Sequence, residues 1–92
     1  MVKKKLVIDI PAGLHLRPIS VLCNCSINFN STITIKTGDK AVNAKSVLGV
    51  LSACIKSGDE IELICDGPDE LQAMETLSNL IRDGLGDEIV KK

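Results

Sequence analysis

The chain contains one histidine, His15, set in Gly13-Leu14-His15-Leu16-Arg17-Pro18. Imidazole takes and releases a covalent group near neutral pH more readily than most side chains. The surroundings suit a negatively charged group. An apolar alternation ends at Pro11-Ala12-Gly13, a glycine turns the chain, and a helix pattern opens just past the histidine. The unpaired N–H groups of a first helical turn attract anions, and the macrodipole adds to that attraction. Arg17 supplies planar donors that match a phosphate. Positive surroundings also favour the neutral, nucleophilic form of an imidazole. His15 is thus the candidate phosphoryl acceptor and Arg17 its stabilising partner. The ordinary alternative is a solvated histidine at a helix cap. The segment holds no second acid or base, and the chain has no P-loop and no metal cluster, so no complete active site is visible. A residue that receives a group but cannot finish a reaction alone describes a carrier, not an enzyme.

The elements that must position this segment follow from periodicity. Leu6, Ile8 and Ile10 alternate with polar or outward residues and predict a half-buried strand. Leu16 to about Phe29 suits a helix, with Pro18 in the first turn where proline is tolerated. Thr32 to Lys36 is an alternating, β-branched strand. Gly38-Asp39 turns the chain into a short return strand, Lys40 to Asn43. Ser46 reads as the N-cap of a short helix from Val47 to about Ala53. Glu60 to Cys65 alternates again. Asp69 reads as the cap of a last helix, with Gln72 completing a capping box. Leu71, Met74, Leu77, Leu80 and Ile81 are expected on its buried face, and Gly84 and Gly86 at its end. The order β-α-β-β-α-β-α predicts an α+β, open-faced two-layer sandwich: a four-stranded antiparallel sheet with three helices on one face. Residues 1–92 are expected to form one domain with a short tail at the end.

Composition narrows the function. Nearly half of the 92 residues are apolar, yet there is no Trp or Tyr and a single Phe, Phe29. The core must be aliphatic, and the aromatic platforms that stack single-stranded nucleic acid are missing. Eleven basic residues against twelve acidic ones give no basic footprint, so no direct nucleic-acid binding is expected, and Lys3 to Lys5, Lys91 and Lys92 do not alter that. No apolar run is long enough to insert into a membrane, and the start lacks a signal-peptide stretch, which predicts a cytoplasmic protein. Cys23, Cys25, Cys54 and Cys65 do not follow a zinc spacing and are expected to be small apolar side chains in a reducing compartment. No cofactor or metal is expected.

The second helix carries a further signal. Val47, Leu48, Val50, Leu51 and Ile55 spread over too wide an arc for a helix covering one side of a sheet. Either the helix is deeply buried or part of this surface faces a partner.

These two segments resemble the HPr family, the histidine-containing phosphocarriers of the bacterial sugar phosphotransferase system. Gly13-Leu14-His15-x-Arg17-Pro18 is similar to the family's phosphorylation motif, and Asn43-x-Lys45-Ser46-Val47-Leu48-Gly49-Val50-Leu51-Ser52 to its regulatory-serine segment. Gly58, Ile61, Gly67 and Asp69-Glu70 also fit family positions. The resemblance implies that His15, through Nδ1, takes a phosphoryl group from phosphoenolpyruvate by way of enzyme I and passes it to enzyme IIA domains. It implies that Arg17 holds the phosphate and that a kinase/phosphorylase modifies Ser46, after which a catabolite-control transcription regulator binds. Leu16, Val47, Leu48 and Leu51 would contact partners, and the protein would be a monomer. Four positions depart from the pattern. Leu16 and Ile19 are bulky where relatives are small, and Val21 and Ile27 are apolar where relatives are polar, which predicts a greasier face on the first helix. Cys54 replaces a glycine at the end of the second helix, so that cap is expected to be made differently. A rival reading is a regulatory module acting mainly through Ser46. The family's paralogue of that kind lacks the histidine, so His15 argues against it. A redox or metal-responsive use of the four cysteines is a third reading.

Overall fold

The computed structural model describes residues 1–11 and 13–85. The expected helix end at Gly86, the tail, and Lys91 and Lys92 lie outside them. The elements are β1 (Val2–Val7), α1 (Leu16–Ser26), β2 (Thr32–Thr37), β3 (Lys40–Asn43), α2 (Val47–Ser52), β4 (Glu60–Asp66) and α3 (Glu70–Arg82). The strands form one antiparallel sheet in the order β1-β4-β2-β3. The expected α+β architecture is therefore present.

Strand alternation sorts the two faces of the sheet. Leu6, Ile33, Ile35, Ile61, Leu63 and Cys65 are buried beneath the helices, together with Leu22, Ala73, Leu77 and Ile81. On the open face, Lys5 pairs with Glu62, which pairs with Lys36, so unlike charges alternate across three strands. α1 packs against α2 and α3, and α3 lies against β1 and β4.

Several boundaries differ from the sequence pattern. β1 ends at Val7, yet Ile8 and Ile10 are fully buried. The inward alternation continues after the ladder stops. Ile8 still donates to the Asp59 carbonyl (2.9 Å) and accepts from Gly58 N–H (2.7 Å), both in the turn that precedes β4. α1 stops at Ser26, not near Phe29. Beyond it, Asn28 N–H bonds Cys25 O (3.2 Å) and Phe29 N–H bonds Ser26 O (3.1 Å), so the chain tightens into three-residue turns.

The capping box expected at α3 does not form. Asp69 occupies the cap position but makes no side-chain cap bond. Its carboxylate is turned to the α1–β2 connection, accepting from Asn30 N–H (2.9 Å), Ser31 N–H (3.0 Å) and the buried Ser31 hydroxyl. Glu70 does the local work instead, accepting from Gly67 N–H (3.0 Å). Leu71 is also misplaced by the pattern, being 72% exposed. The buried row is Ala73, Leu77 and Ile81 at four-residue steps, and a residue two places before Ala73 projects nearly opposite to it. α3 ends as expected at Gly84. Gly84 N–H bonds Ile81 O (3.1 Å) and Leu85 N–H bonds Leu80 O (2.9 Å), a Schellman pair that buries Leu85.

Candidate functional site

Two buried anchors hold His15 between them. Leu14 is buried and donates its N–H to the Ile55 carbonyl at 3.0 Å, which ties the segment to the loop after α2. Pro18 and Ile19 are buried at the other side and begin the helix packing. His15 is left half-buried at the rim as the N-cap of α1, in an extended conformation (φ −100°, ψ −172°). Its carbonyl accepts the first helical bond from Ile19 N–H (3.0 Å), and its side chain makes no capping bond. Pro18 has no N–H, so the backbone donors that the first turn can offer a ligand are those of Leu16 and Arg17. The Arg17 side chain is exposed on the same turn.

Gly13 makes this approach possible. Its φ is +75°, and a Cβ there would stand 3.1 Å from Ile55 O and 3.2 Å from Lys56 Cα. Both the backbone turn and the lack of a side chain are needed for the two loops to touch.

Ser46 begins a different, adjacent helix. Its hydroxyl oxygen accepts from Gly49 N–H (3.0 Å), so the expected N-cap is formed. The lack of a side chain at Gly49 leaves room for that hydroxyl, since a Cβ there would stand 3.2 Å from it. The preceding Lys45 donates its ammonium to Phe29 O (2.7 Å), near the C-terminal end of α1, where a cation is favoured. α2 has a mixed face. Val50 is buried and Val47 half-buried, while Leu48 is 77% and Leu51 42% exposed; Ile55, expected with the helix, is buried in the loop beyond it. Leu16, on the first turn of α1, is 59% exposed.

The greasier face expected of α1 is only partly present. Leu16 and Ile27 are exposed, but Ile19 is fully buried and Val21 half-buried, so the bulk at position 19 goes into the core. The cap after α2 also differs from expectation. Cys54 adopts the left-handed conformation itself (φ +54°), with its N–H on Leu51 O at 3.2 Å, so the end is made in the manner of a glycine without one.

The cysteines do not gather. Cys23 and Cys65 are buried, Cys25 is half-buried and Cys54 exposed. No group of three His, Cys, Asp or Glu side chains among the described residues is placed to hold a metal. Burial raises the Cys23, Cys25 and Cys65 thiols above their ordinary range. Among the described residues, no helix is long and apolar enough to cross a membrane.

Sequence reasoning missed the loop after α2. Ile55 and Lys56 meet Gly13 and Leu14 across a long stretch of chain, and no local pattern announces that contact.

A family model described as the PTS HPr component phosphorylation site matches residues 2–83. The chain is 43% identical over 77 residues to a phosphocarrier protein HPr of Lysinibacillus sphaericus, covering 84% of this chain and 86% of the relative. It is 42% identical over 77 residues to an HPr-like protein Crh of Halalkalibacterium halodurans, covering 84% and 92%. The crystal structure of HPr-C-His from Thermoanaerobacter tengcongensis superposes with a TM-score of 0.91 at 32% identity, covering 97% of this chain and all of that one. The chain therefore belongs to the HPr family of phosphocarrier proteins.

Proposed function

We propose that this protein is a cytoplasmic phosphoryl carrier that accepts a phosphoryl group on His15 from phospho-enzyme I and delivers it to enzyme IIA domains. The reading is carried by His15 standing half-buried at the head of α1, beside the exposed Arg17. In the transfer, the phosphorus–nitrogen bond to the donor breaks as one to Nδ1 of His15 forms. The new phosphoryl oxygens are dianionic, and Arg17 and the N–H groups of the first turn supply charge-assisted and backbone donors. Nothing is turned over at this site, so the protein is a reactant in phosphotransferase reactions and not itself an enzyme. Exposed Leu16, Leu48 and Leu51, with half-buried Val47, form the apolar surface on which partners dock.

The regulatory reading belongs beside this one, because relatives include HPr-like proteins named Crh and because Ser46 caps α2. A kinase/phosphorylase acting on Ser46 would place negative charge next to the docking surface, and a catabolite-control regulator would read it. Retention of His15 favours the carrier as the main role.

The test is incubation with enzyme I and phosphoenolpyruvate, followed by intact mass. One acid-labile phosphoryl group is expected on the wild type, none on His15→Ala, and slowed labelling on Arg17→Ala. Full labelling of His15→Ala would end the carrier reading.

A further inference from the structure

We propose that Lys56 is a second cation of the His15 site, a specificity-determining residue that helps capture the incoming phosphoryl group from its donor. The inference rests on the reading of His15 as the phosphoryl acceptor and adds to it a residue from a distant part of the chain. Three observations place the charge there. Lys56 Cα lies 3.2 Å from the position a Gly13 Cβ would take, so its backbone abuts the turn that carries His15. Only Leu14 stands between Gly13 and His15, so the histidine lies two peptide steps, at most about 7 Å, along the chain from that contact. And the contact is held firmly, because the preceding carbonyl, Ile55 O, accepts Leu14 N–H at 3.0 Å.

The backbone of Lys56 is fixed while its ammonium is not. Its N–H donates to Asp59 Oδ2 (2.8 Å) and its carbonyl accepts from Asp59 N–H (3.0 Å). The loop's carboxylate is thereby engaged with the backbone, and the Lys56 ammonium makes no ion pair among the described residues. The side chain is exposed. A charge on a flexible four-carbon stem, anchored beside the acceptor, can follow a phosphoryl group as it moves from donor to His15. Arg17 differs in kind. It sits on α1 next to the acceptor and offers a planar fork, whereas Lys56 comes from the loop after α2 as a mobile point charge. An exposed charge of this sort acts chiefly on encounter and is screened by salt.

The experiment uses the full chain with phospho-enzyme I and follows His15 labelling at low and at high salt. Lys56→Gln is expected to lower kcat/KM about three- to fivefold at low salt, and the gap should close at high salt. Lys56→Arg should stay within about twofold of the wild type, since it keeps the charge. Thermal midpoints should not differ, which separates the effect from damage to the loop. Equal rates for Lys56→Gln and wild type at low salt would overturn the proposal. So would an equal, salt-independent loss in both variants, which would mark a packing role. A wild type that takes no label at His15 would instead remove the carrier reading, and this proposal with it.

Discussion

Replacing Gly13 by alanine tests whether the contact between the two loops positions the acceptor. Two costs add. A left-handed residue with a Cβ is disfavoured by roughly 1–2 kcal/mol, offset by about 0.4–1 kcal/mol because alanine restricts the unfolded chain. The new methyl would then stand 3.1 Å from Ile55 O and 3.2 Å from Lys56 Cα, both of them backbone atoms that cannot rotate away. The loops must part by a few tenths of an ångström, straining the 3.0 Å bond from Leu14 N–H to Ile55 O, a bond worth about 1 kcal/mol. The total is about 1.5–2 kcal/mol, or a fall in Tm of about 10 °C for a domain of this size. Gly38→Ala is the matched control. Gly38 has φ +56° and nothing within 4 Å of its would-be Cβ, so only the backbone cost applies. Its Tm should fall by about half as much or less. Phosphoryl transfer should separate the variants further. Gly13→Ala displaces the turn that presents His15 and should slow labelling on the order of tenfold, while Gly38→Ala should label at the wild-type rate. If both variants lose the same stability and neither loses transfer, the loop contact does not position the acceptor, and the argument built on it fails.

Cys54 holds a left-handed conformation that glycine adopts at no steric cost, so Cys54→Gly should be neutral to stabilising by up to about 1 kcal/mol, whereas Cys54→Val should destabilise, both read by urea unfolding. The Asp69 carboxylate is held below its ordinary pKa of 3.8, first by the Ser31 hydroxyl and then by the backbone N–H groups of Asn30 and Ser31. A depressed carboxylate contributes stability that is present above its unfolded pKa and lost as pH falls through the folded one. Asp69→Asn should therefore be less stable than wild type at neutral pH, with the two unfolding midpoints converging as pH falls below the ordinary carboxylate range. Enzymatic phosphorylation of Ser46 should slow His15 labelling while leaving the circular dichroism spectrum and Tm essentially unchanged. A sample that transfers at the unmodified rate would leave Ser46 as a helix cap alone.

The architecture was legible because the information for it is local. Ile33 and Ile35, and Ile61, Leu63 and Cys65, each alternate within a single strand, and that period alone decides which face is buried. The candidate acceptor was legible for the same reason, since His15, Arg17 and Pro18 lie within one turn. What failed was what depends on partners far along the chain. Asp69 has the residue type and spacing of a helix cap, but the buried Ser31 hydroxyl and two N–H groups compete for its carboxylate and win. By resemblance Ile19 adds bulk to the outer face of α1, but its apolar spacing with Leu22 and Cys23 is the better guide and it fills the core. Lys56 has no local signature at all. Its place beside Gly13 exists only once α2 has packed against α1 and returned the chain to the first loop.

That return explains why a helix as short as α2 matters to both candidate sites. It spans only Val47–Ser52, too short to persist alone, and both of its ends are fastened. At the start, Ser46 caps it through Gly49 N–H and Lys45 bonds Phe29 O in the turns that follow α1. At the exit, Cys54 turns left-handed and Ile55 takes the Leu14 N–H beside His15. A charge added at Ser46 meets the positive end of this helix, where it is favoured, so it gives α2 no reason to unfold or to pull on Ile55. In the proposed regulation, its influence on His15 comes through the surface at Leu48 and Leu51, which are exposed and apolar. Covering those side chains in a complex would strip water from a dianion close by, and desolvating an unpaired charge is among the largest penalties an interface can carry. The arrangement thus favours a switch that acts on docking and leaves the acceptor's geometry intact.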